Sequence, residues 1–203
     1  MGAFKIAVFA SGQGTNFQAL ADAAQAGRLG GTIELLVCDK PAAPVVSRAE
    51  AAGIETFLFT PKSYPSREAY ETEIKAELDR RGIDLIVLAG YMRILTPVIV
   101  EPFYGKMINI HPSLLPAFPG VNAIGQALAY GVKLTGITVH FVDGGMDSGP
   151  IIAQRAVEIA DGDTEETLVP RIHAAEQALL PEVVQQFAAG RVQLDGRQVI
   201  VKP

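Results

Sequence analysis

Short apolar runs alternate with longer amphipathic segments along the first half of the chain. Five runs are predicted to be strands: Phe4–Ala10, Ile33–Cys38, Glu55–Phe59, Leu85–Ala89 and Lys106–Ile110. Between them, apolar residues recur at helical spacing in four segments: 16–27, 43–52, 66–81 and 96–103. Such alternation is typical of βαβ units. We therefore predict an α/β fold in three layers, an open, mainly parallel twisted sheet with helices on both faces.

The pattern changes after Ile110. A proline-rich loop, SLLPAFPG, precedes a short helix near 122–130. Two further strands are predicted at Gly136–Val142 and Ile151–Val157, and a terminal hairpin is predicted to turn at Asp195-Gly196.

A long helix is predicted between the last sheet strand and this hairpin. It begins near Asp163, which fits a capping box with Glu166, and runs to about Ala188. Pro181 predicts a kink, whereas the position of Pro170 has no explanation in the sequence.

Composition narrows the classes of function. The chain has 203 residues, 49% of them hydrophobic, and a net charge of -5. These values predict one domain over residues 1–203 and argue against nucleic-acid binding. The one cysteine, Cys38, cannot form an intrachain disulfide, and no stretch reaches the ~20 apolar residues of a membrane span. Because the chain starts with a strand-like run rather than a targeting signal, we expect a cytoplasmic protein without nucleic-acid or membrane partners.

The first stretch that could carry chemistry is SGQGTN, residues 11–16, between the first strand and the first helix. Backbone N–H groups and the dipole at a helix N-terminus favour a phosphate, and Thr15 and Asn16 can add side-chain donors. The stretch lacks the third glycine of a dinucleotide fingerprint and the lysine of a Walker A loop. Taken alone, it fits phosphate binding and an ordinary tight turn equally well.

The second stretch is NIHPSLLP, residues 109–116, at the end of the fifth strand. Asn109 and His111 are two residues apart on an extended segment, so their side chains project on one side. They offer an amide donor and an imidazole that exchanges protons, which suits an oxyanion at the carboxyl edge of the sheet. Taken alone, the pair is better explained as an asparagine and a histidine whose hydrogen bonds are satisfied within a loop, without a role in catalysis.

The third stretch is DGGMDSGP, residues 143–150, between the last two sheet strands. Its glycines predict a shaped or mobile loop, and its two carboxylates are candidates to orient a base, although a turn-rich connection fits equally well. The three histidines, His111, His140 and His173, have no metal-ligand spacing. Because no covalent nucleophile stands out either, we predict direct transfer between bound substrates without a metal.

Together these stretches resemble the folate-dependent formyltransferase family. NIHPSLLP followed by TGITVHFVDGGMDSGPII is the strongest match, and the match extends over essentially the whole chain through SGQGTN, SREAYE (66–71), LAGYMRIL (88–95) and IHAAEQALLP (172–181). The resemblance implies a Rossmann-like formyltransferase fold and 10-formyltetrahydrofolate as co-substrate. SGQGTN and PGVNAIGQAL (119–128) are similar to the members whose formyl acceptor is 5′-phosphoribosylglycinamide (GAR), in purine synthesis.

The resemblance also implies roles for individual residues. Asn109 and His111 would stabilise an oxyanion, His111 would move protons, and Asp147 would hold its imidazole. GAR and its phosphate would contact Gly14, Thr15, Asn16, His173 and Glu176.

On the folate side, the resemblance implies that Arg67 pairs with a carboxylate of the folate. The rest of the pocket would be lined by Met92, Arg93, Ile94, Leu95, Asn109, Asp143, Gly144, Gly145, Met146 and Asp147. Without the resemblance, Met92, Ile94 and Leu95 would be predicted to lie in the core. His140 is expected either to be structural or to support a catalytic residue that it contacts, and Ser148 stands where the family carries glycine.

The implied division of the domain is a phosphate-binding half, about residues 1–100, and a folate-binding catalytic half, about residues 101–203. A monomer and a homodimer both remain open. So do three other functions: a methionyl-tRNA formyltransferase, which normally adds an RNA-contacting domain; a 10-formyltetrahydrofolate hydrolase, which normally adds a regulatory domain; and a non-catalytic nucleotide-binding module. The last of these need not keep Asn109, His111 and Asp147 together.

Overall fold

The computed structural model describes residues 2–203 and is built around a seven-stranded sheet. The strands are β1 (Phe4–Phe9), β2 (Gly31–Cys38), β3 (Thr56–Leu58), β4 (Leu85–Leu88), β5 (Met107–His111), β6 (Leu134–Phe141) and β7 (Ile151–Glu158). Their order across the sheet is β3-β2-β1-β4-β5-β6-β7. The first five strands are parallel, whereas β6 is antiparallel to both β5 and β7. The prediction of a mainly parallel sheet is confirmed.

Helices cover both faces of this sheet. Within residues 2–203 they are α1 (Thr15–Gln25), α2 (Pro44–Ala51), α3 (Arg67–Arg81), α4 (Pro97–Val100), α5 (Ala123–Tyr130) and α6 (Glu165–Ala188), with a 3-10 turn at Pro61–Ser63. Side chains alternate along β1, so Ile6 and Val8 face one side while Ala7 and Phe9 face the other. The first side packs against α1, α2, α5 and α6, and the second against α3 and α4. The structure therefore has the three predicted layers, with the sheet between two layers of helices.

Two predicted elements are shorter in the structure. The strand β3 has only three residues, and α4 is a single turn, Pro97–Val100, rather than the predicted 96–103. Pro102 follows the end of α4 and has no backbone N–H with which to continue the helical ladder. The prediction of a longer fourth helix is therefore wrong.

The start of α6 also differs from the prediction. The residue before the helix is Thr164, and the Thr164 N–H donates to the Thr167 hydroxyl at 3.0 Å, so the predicted pairing of Asp163 with Glu166 is wrong. Asp163 lies one residue too early to cap the helix, and it accepts from the Ala160 N–H at 2.7 Å instead.

The helix α6 then runs from Glu165 to Ala188 through both Pro170 and Pro181. The kink at Pro181 stays a prediction. After it, β8 (Val192–Asp195) and β9 (Gln198–Val201) form the predicted hairpin, in which Gly196 has a φ of 58°. Within residues 2–203, no helix combines the length and the apolar character that a membrane span requires.

The helix α3 ends as predicted and contains a buried acid. Ser66 Oγ accepts from the Ala69 N–H at 3.1 Å, and Gly82 ends the helix with a φ of 66°. Glu71 of this helix is completely buried, and its carboxyl group accepts from the N–H and the hydroxyl of Thr96. Glu71 therefore ties α3 to the segment that follows β4.

A side chain at Gly149 would overlap the backbone of β6. A Cβ on Gly149 would lie 1.7 Å from the carbonyl oxygen of Phe141. We expect Gly149→Ala to lower the free energy of unfolding by about 3 kcal/mol, because the backbone has to move to relieve the overlap. Urea unfolding measures this loss. Gly144→Ala is the control in the same loop, since a Cβ there meets nothing within 4 Å; equal stability of the two variants would contradict the prediction.

The buried Glu71 predicts a pH effect on stability. Burial raises the pKa of Glu71 above its ordinary 4.5, against the hydrogen bonds from Thr96. A raised folded-state pKa contributes stability that is present below the ordinary pKa and lost as the pH rises through the folded-state pKa. Wild type should therefore lose free energy of unfolding relative to Glu71→Gln as the pH rises above about 4.5, as measured by urea unfolding.

Glu77 on the same helix is the matched control for that measurement. Hydrogen bonds from Arg80 and Arg81 lower the pKa of Glu77 to about 2, so its contribution grows between about pH 2 and the ordinary pKa of 4.5 and is nearly constant above that. Above about pH 5, the stability of wild type relative to Glu77→Gln should therefore change little. An equal loss relative to both variants as the pH rises would refute the assignment to Glu71.

Candidate active site

The candidate residues gather where four parallel strands end. Phe9 of β1 pairs with Leu88 of β4, and Leu88 pairs with Asn109 of β5, so these strands end at nearly the same level. The loop 11–16 follows β1, Asp39 follows β2, and the segment 90–96 follows β4. This carboxyl edge is where open α/β sheets bind ligands.

Asn109 is oriented by a histidine on the neighbouring strand. It lies opposite His140 of β6, and its Nδ2 donates to His140 Nε2 at 3.3 Å. His140 Nδ1 is 2.8 Å from the carbonyl oxygen of Phe141, an acceptor, so Nδ1 carries the proton. Burial lowers the pKa of His140, which keeps the ring neutral and leaves Nε2 free to accept. His140 is thus buried and contacts the predicted oxyanion donor, Asn109.

The carboxylate of Asp147 faces both buried histidines. Its Oδ2 lies 3.4 Å from His111 Nδ1, and its Oδ1 lies 3.7 Å from His140 Nε2. Oδ2 also accepts from the Gly120 N–H at 2.7 Å. Asp147 has a φ of 50°, a left-handed conformation that asparagine and aspartate tolerate better than most residues. The structure thus brings Asn109, His111 and Asp147 together around His140.

The second nitrogen of His111 already has a partner. Nε2 lies 2.8 Å from the carbonyl oxygen of Phe118, which accepts its proton. Phe118 itself has a φ of 51°. A substrate oxygen that binds to Nε2 therefore has to displace the Phe118 carbonyl.

The loop that carries Phe118 is anchored by buried polar side chains. Ser113 Oγ donates to the Ala117 carbonyl at 2.6 Å, and Thr138 Oγ1 donates to the Ser113 carbonyl at 2.7 Å while accepting from the Leu115 N–H at 3.0 Å. Gln154 Nε2 donates to the Leu115 carbonyl at 2.9 Å. Sequence reasoning did not identify Thr138 and Gln154, although a polar residue within the apolar strand ITVHFV was a possible signal.

The predicted phosphate loop has the required backbone. Gly14 precedes α1 with a φ of 73°, and a Cβ there would lie 2.5 Å from Val45 Cγ2. Only glycine therefore fits this close approach to α2. Thr15 begins α1, so the free N–H groups of the first turn belong to the predicted loop.

Asn16 links this loop to α6. Its Nδ2 donates to Glu176 Oε2 at 3.3 Å, while its Oδ1 is buried and has no hydrogen-bond partner among residues 2–203. Burial raises the pKa of the Glu176 carboxyl, against the hydrogen bond from Asn16. His173, the other predicted GAR residue of α6, is exposed.

The segment 92–95 is predicted to form one wall of the folate pocket, and we call it the folate wall. Two of its apolar side chains are exposed. Met92 is 69% exposed and Ile94 is 64% exposed, whereas Leu95 packs against the core. The core interpretation of Met92 and Ile94 is therefore wrong. Arg67 is exposed at the first turn of α3, in a position that leaves it accessible to an anion.

Arg93 is held by a buried carboxylate that sequence reasoning did not identify. Its Nε donates to Asp39 Oδ2 at 2.7 Å, and the Asp39 side chain is completely buried. Asp39 follows the apolar strand β2 directly, and that position was its one signal in the sequence.

The loop 143–148 is closed on itself. Asp143 Oδ1 accepts from the Gly145 N–H at 2.9 Å and from the Ser148 hydroxyl at 2.6 Å. Gly144 and Met146 are exposed on it. Ser148, in the place of the family's glycine, thus adds a contact within the loop. In the part of the chain from residue 2 onward, no group of three histidine, cysteine, aspartate or glutamate side chains could hold a metal ion.

Comparison with known proteins gives a consistent result. Residues 4–184 match the profile of the formyl transferase family. The phosphoribosylglycinamide formyltransferase of Bacillus subtilis is 52% identical over 90% of this chain and 94% of its own length. Among solved structures, glycinamide ribonucleotide transformylase 1 of Symbiobacterium toebii has a TM-score of 0.96 and 44% identity over 99% of this chain and 95% of its own.

The corresponding enzyme of Geobacillus kaustophilus has a TM-score of 0.90 and 53% identity over 92% of this chain and the whole of its own. Profile, identity and three-dimensional similarity thus agree over most of the length of the chain. The protein belongs to the formyl transferase family.

Proposed function

We propose that this enzyme transfers the formyl group of 10-formyltetrahydrofolate to the glycine amine of GAR, giving formyl-GAR and tetrahydrofolate in purine synthesis. The observation that carries the proposal is one cluster in which Asp147 lies against His111 and His140, and His140 contacts Asn109. The relatives named for the GAR reaction support the choice of acceptor. We further propose a cytoplasmic enzyme that acts as a monomer or a homodimer.

Each substrate would contact residues from both halves of the chain. The phosphate of GAR would bind to the N–H groups of Gly14 and Thr15 and to the side chain of Asn16, with Glu176 and His173 beside its glycine part. The pteridine would lie along 92–95 and 143–147, and Arg67 would pair with a carboxylate of the folate tail. Holding both substrates in one cleft supplies much of the rate enhancement.

The reaction would proceed by direct attack. The unprotonated GAR amine forms a bond to the formyl carbon, and the formyl oxygen becomes an oxyanion. Asn109 Nδ2 and His111 Nε2 would donate to this oxygen, after displacement of the Phe118 carbonyl from His111. When the intermediate collapses, the bond from carbon to folate N10 breaks.

Proton transfer completes the balance of the reaction. The attacking nitrogen loses a proton and N10 gains one. His111 would carry this proton, through a water molecule where the distance requires it, and the Asp147 carboxylate at Nδ1 would stabilise the positive charge on the ring. No covalent bond to the enzyme forms.

An assay of deformylation with and without GAR tests the function. The purified protein is mixed with 10-formyltetrahydrofolate, and the absorbance change on deformylation is followed with and without GAR. We expect a signal that requires GAR and yields formyl-GAR. Deformylation independent of GAR would instead identify a hydrolase, and no signal in either mixture would favour a nucleotide-binding module.

Substitution of the cluster tests the mechanism. We expect His111→Ala to lower kcat by about 100- to 1000-fold, because one oxyanion donor and the proton carrier are lost. Asp147→Asn should also lower kcat, because the charge beside the imidazole is lost, while both KM values change modestly. Steady-state kinetics measures these values.

Asp161→Asn serves as the control for Asp147→Asn. Asp161 is a carboxylate with 94% side-chain exposure that pairs with Lys133 on the surface. Its substitution should leave kcat unchanged. Full activity in both His111→Ala and Asp147→Asn would overturn the proposed roles.

A further inference from the structure

Asp39 is a buried acid for which the proposed mechanism has no use. It follows β2, only 3% of the residue is exposed, and the side chain is completely inaccessible. Burying a carboxylate is costly unless donors surround it. Both of its oxygens have such donors: Ser11 Oγ donates to Oδ1 at 2.5 Å, and Arg93 Nε donates to Oδ2 at 2.7 Å.

These donors come from two different substrate segments. Ser11 is the first residue of the phosphate loop, whereas Arg93 belongs to the wall proposed for the folate. Ser11 Oγ also accepts from the Met92 N–H at 2.9 Å, and the Ser11 N–H donates to the Gly90 carbonyl at 3.0 Å. Through Ser11 and Arg93, Asp39 therefore connects the loop after β1 to the segment after β4.

The ion pair between Arg93 and Asp39 also determines the net charge of the folate wall. Arg93 is about 40% exposed at its side chain and lies between the exposed apolar residues Met92 and Ile94. Paired with Asp39, its guanidinium adds donors to the wall without adding net charge. An unpaired guanidinium would be more mobile and would leave an isolated positive charge beside the uncharged pteridine.

We propose that Asp39 is a positioning residue that fixes the folate-binding segment 92–95 against the phosphate loop through Arg93 and Ser11. This inference rests on the proposed function, because it uses the substrate roles of the two segments. The phosphate loop has further anchors, since the Val45 N–H donates to the Gly12 carbonyl and Arg48 Nε donates to the Gln13 carbonyl. Loss of Asp39 should therefore affect the folate more than GAR.

The test is Asp39→Ala in the full chain, with both substrates varied. We expect KM for 10-formyltetrahydrofolate to rise about 10-fold, with KM for GAR and kcat changing by about threefold or less, as for the loss of a charged hydrogen bond that positions one site. Calorimetric titration with tetrahydrofolate alone should show the same roughly 10-fold rise in Kd. An unchanged folate KM and Kd would overturn the proposal, and so would equal losses for both substrates.

Two further variants separate positioning from mere stability. Asp39→Asn keeps an oxygen for Arg93 and offers an N–H to Ser11 Oγ, so it should restore both folate constants to within about threefold of wild type. Ser11→Ala removes the link to Met92 and should reproduce the folate-selective shift. If Asp39→Ala does not fold, Ser11→Ala carries the same test.

Asp84→Ala is the matched control. Asp84 precedes β4, and its Oδ2 accepts from the Lys5 N–H at 2.9 Å, so it joins β1 and β4 at their other ends. Its substitution should lower the melting temperature without moving either folate constant. If wild type lacks GAR-dependent transfer, the proposed function fails, while the calorimetric Kd still decides the role of Asp39.

Discussion

The backbone register of three parallel strands is the constraint on which the site depends. Phe9, Leu88 and Asn109 occupy one row across β1, β4 and β5. The chain leaves β1 and β4 next to each other and at one level, and Asn109 sits at that level on β5. A slip of one residue in β5 would turn Asn109 and His111 to the opposite face. The chemistry therefore rests first on main-chain hydrogen bonds and only then on the reactive side chains.

Within this frame, the site is built from buried polar groups that satisfy one another. His140 is neutral and holds the amide of Asn109, while Asp147 lies against His111 and the Gly120 N–H. Each group has its orientation fixed before a ligand arrives. Such preorganisation is what makes a hydrogen-bond donor effective toward a developing charge. The one strong contact that has to be exchanged is the Phe118 carbonyl on His111.

Much of the fold follows from local patterns in the sequence. The alternation of apolar runs and amphipathic segments predicted the five parallel strands and their helices, because burial on both faces of a sheet leaves a clear trace. The order of the strands and the reversed direction of β6 leave no such trace. The true start of α6 depends on one residue, Thr164 rather than Asp163, and therefore on geometry that several polar residues in a row can satisfy.

The sequence predicted those parts of the candidate site that lie within recognisable motifs. The stretches 11–16, 109–116 and 143–150 all lie at the carboxyl edge of the sheet, whereas Asp39 and Thr138 were not identified, because they act through residues distant in sequence. Pairings of this kind arise only when the sheet is assembled. Without the resemblance, Met92 and Ile94 would have been assigned to the core, because an apolar run alone does not distinguish buried residues from exposed ones.

The left-handed backbone at Asp147 has an evolutionary consequence. Glycine and asparagine adopt a φ of 50° with little strain, and either one in place of Asp147 would remove the carboxylate. If Asp147 has the role proposed for it, a single substitution would abolish turnover while the loop, the sheet and the overall similarity to active relatives persisted. For a descendant of this sequence, resemblance in three dimensions would then say nothing about turnover, and the side chain at position 147 would be the character that separates a working enzyme from a silent copy.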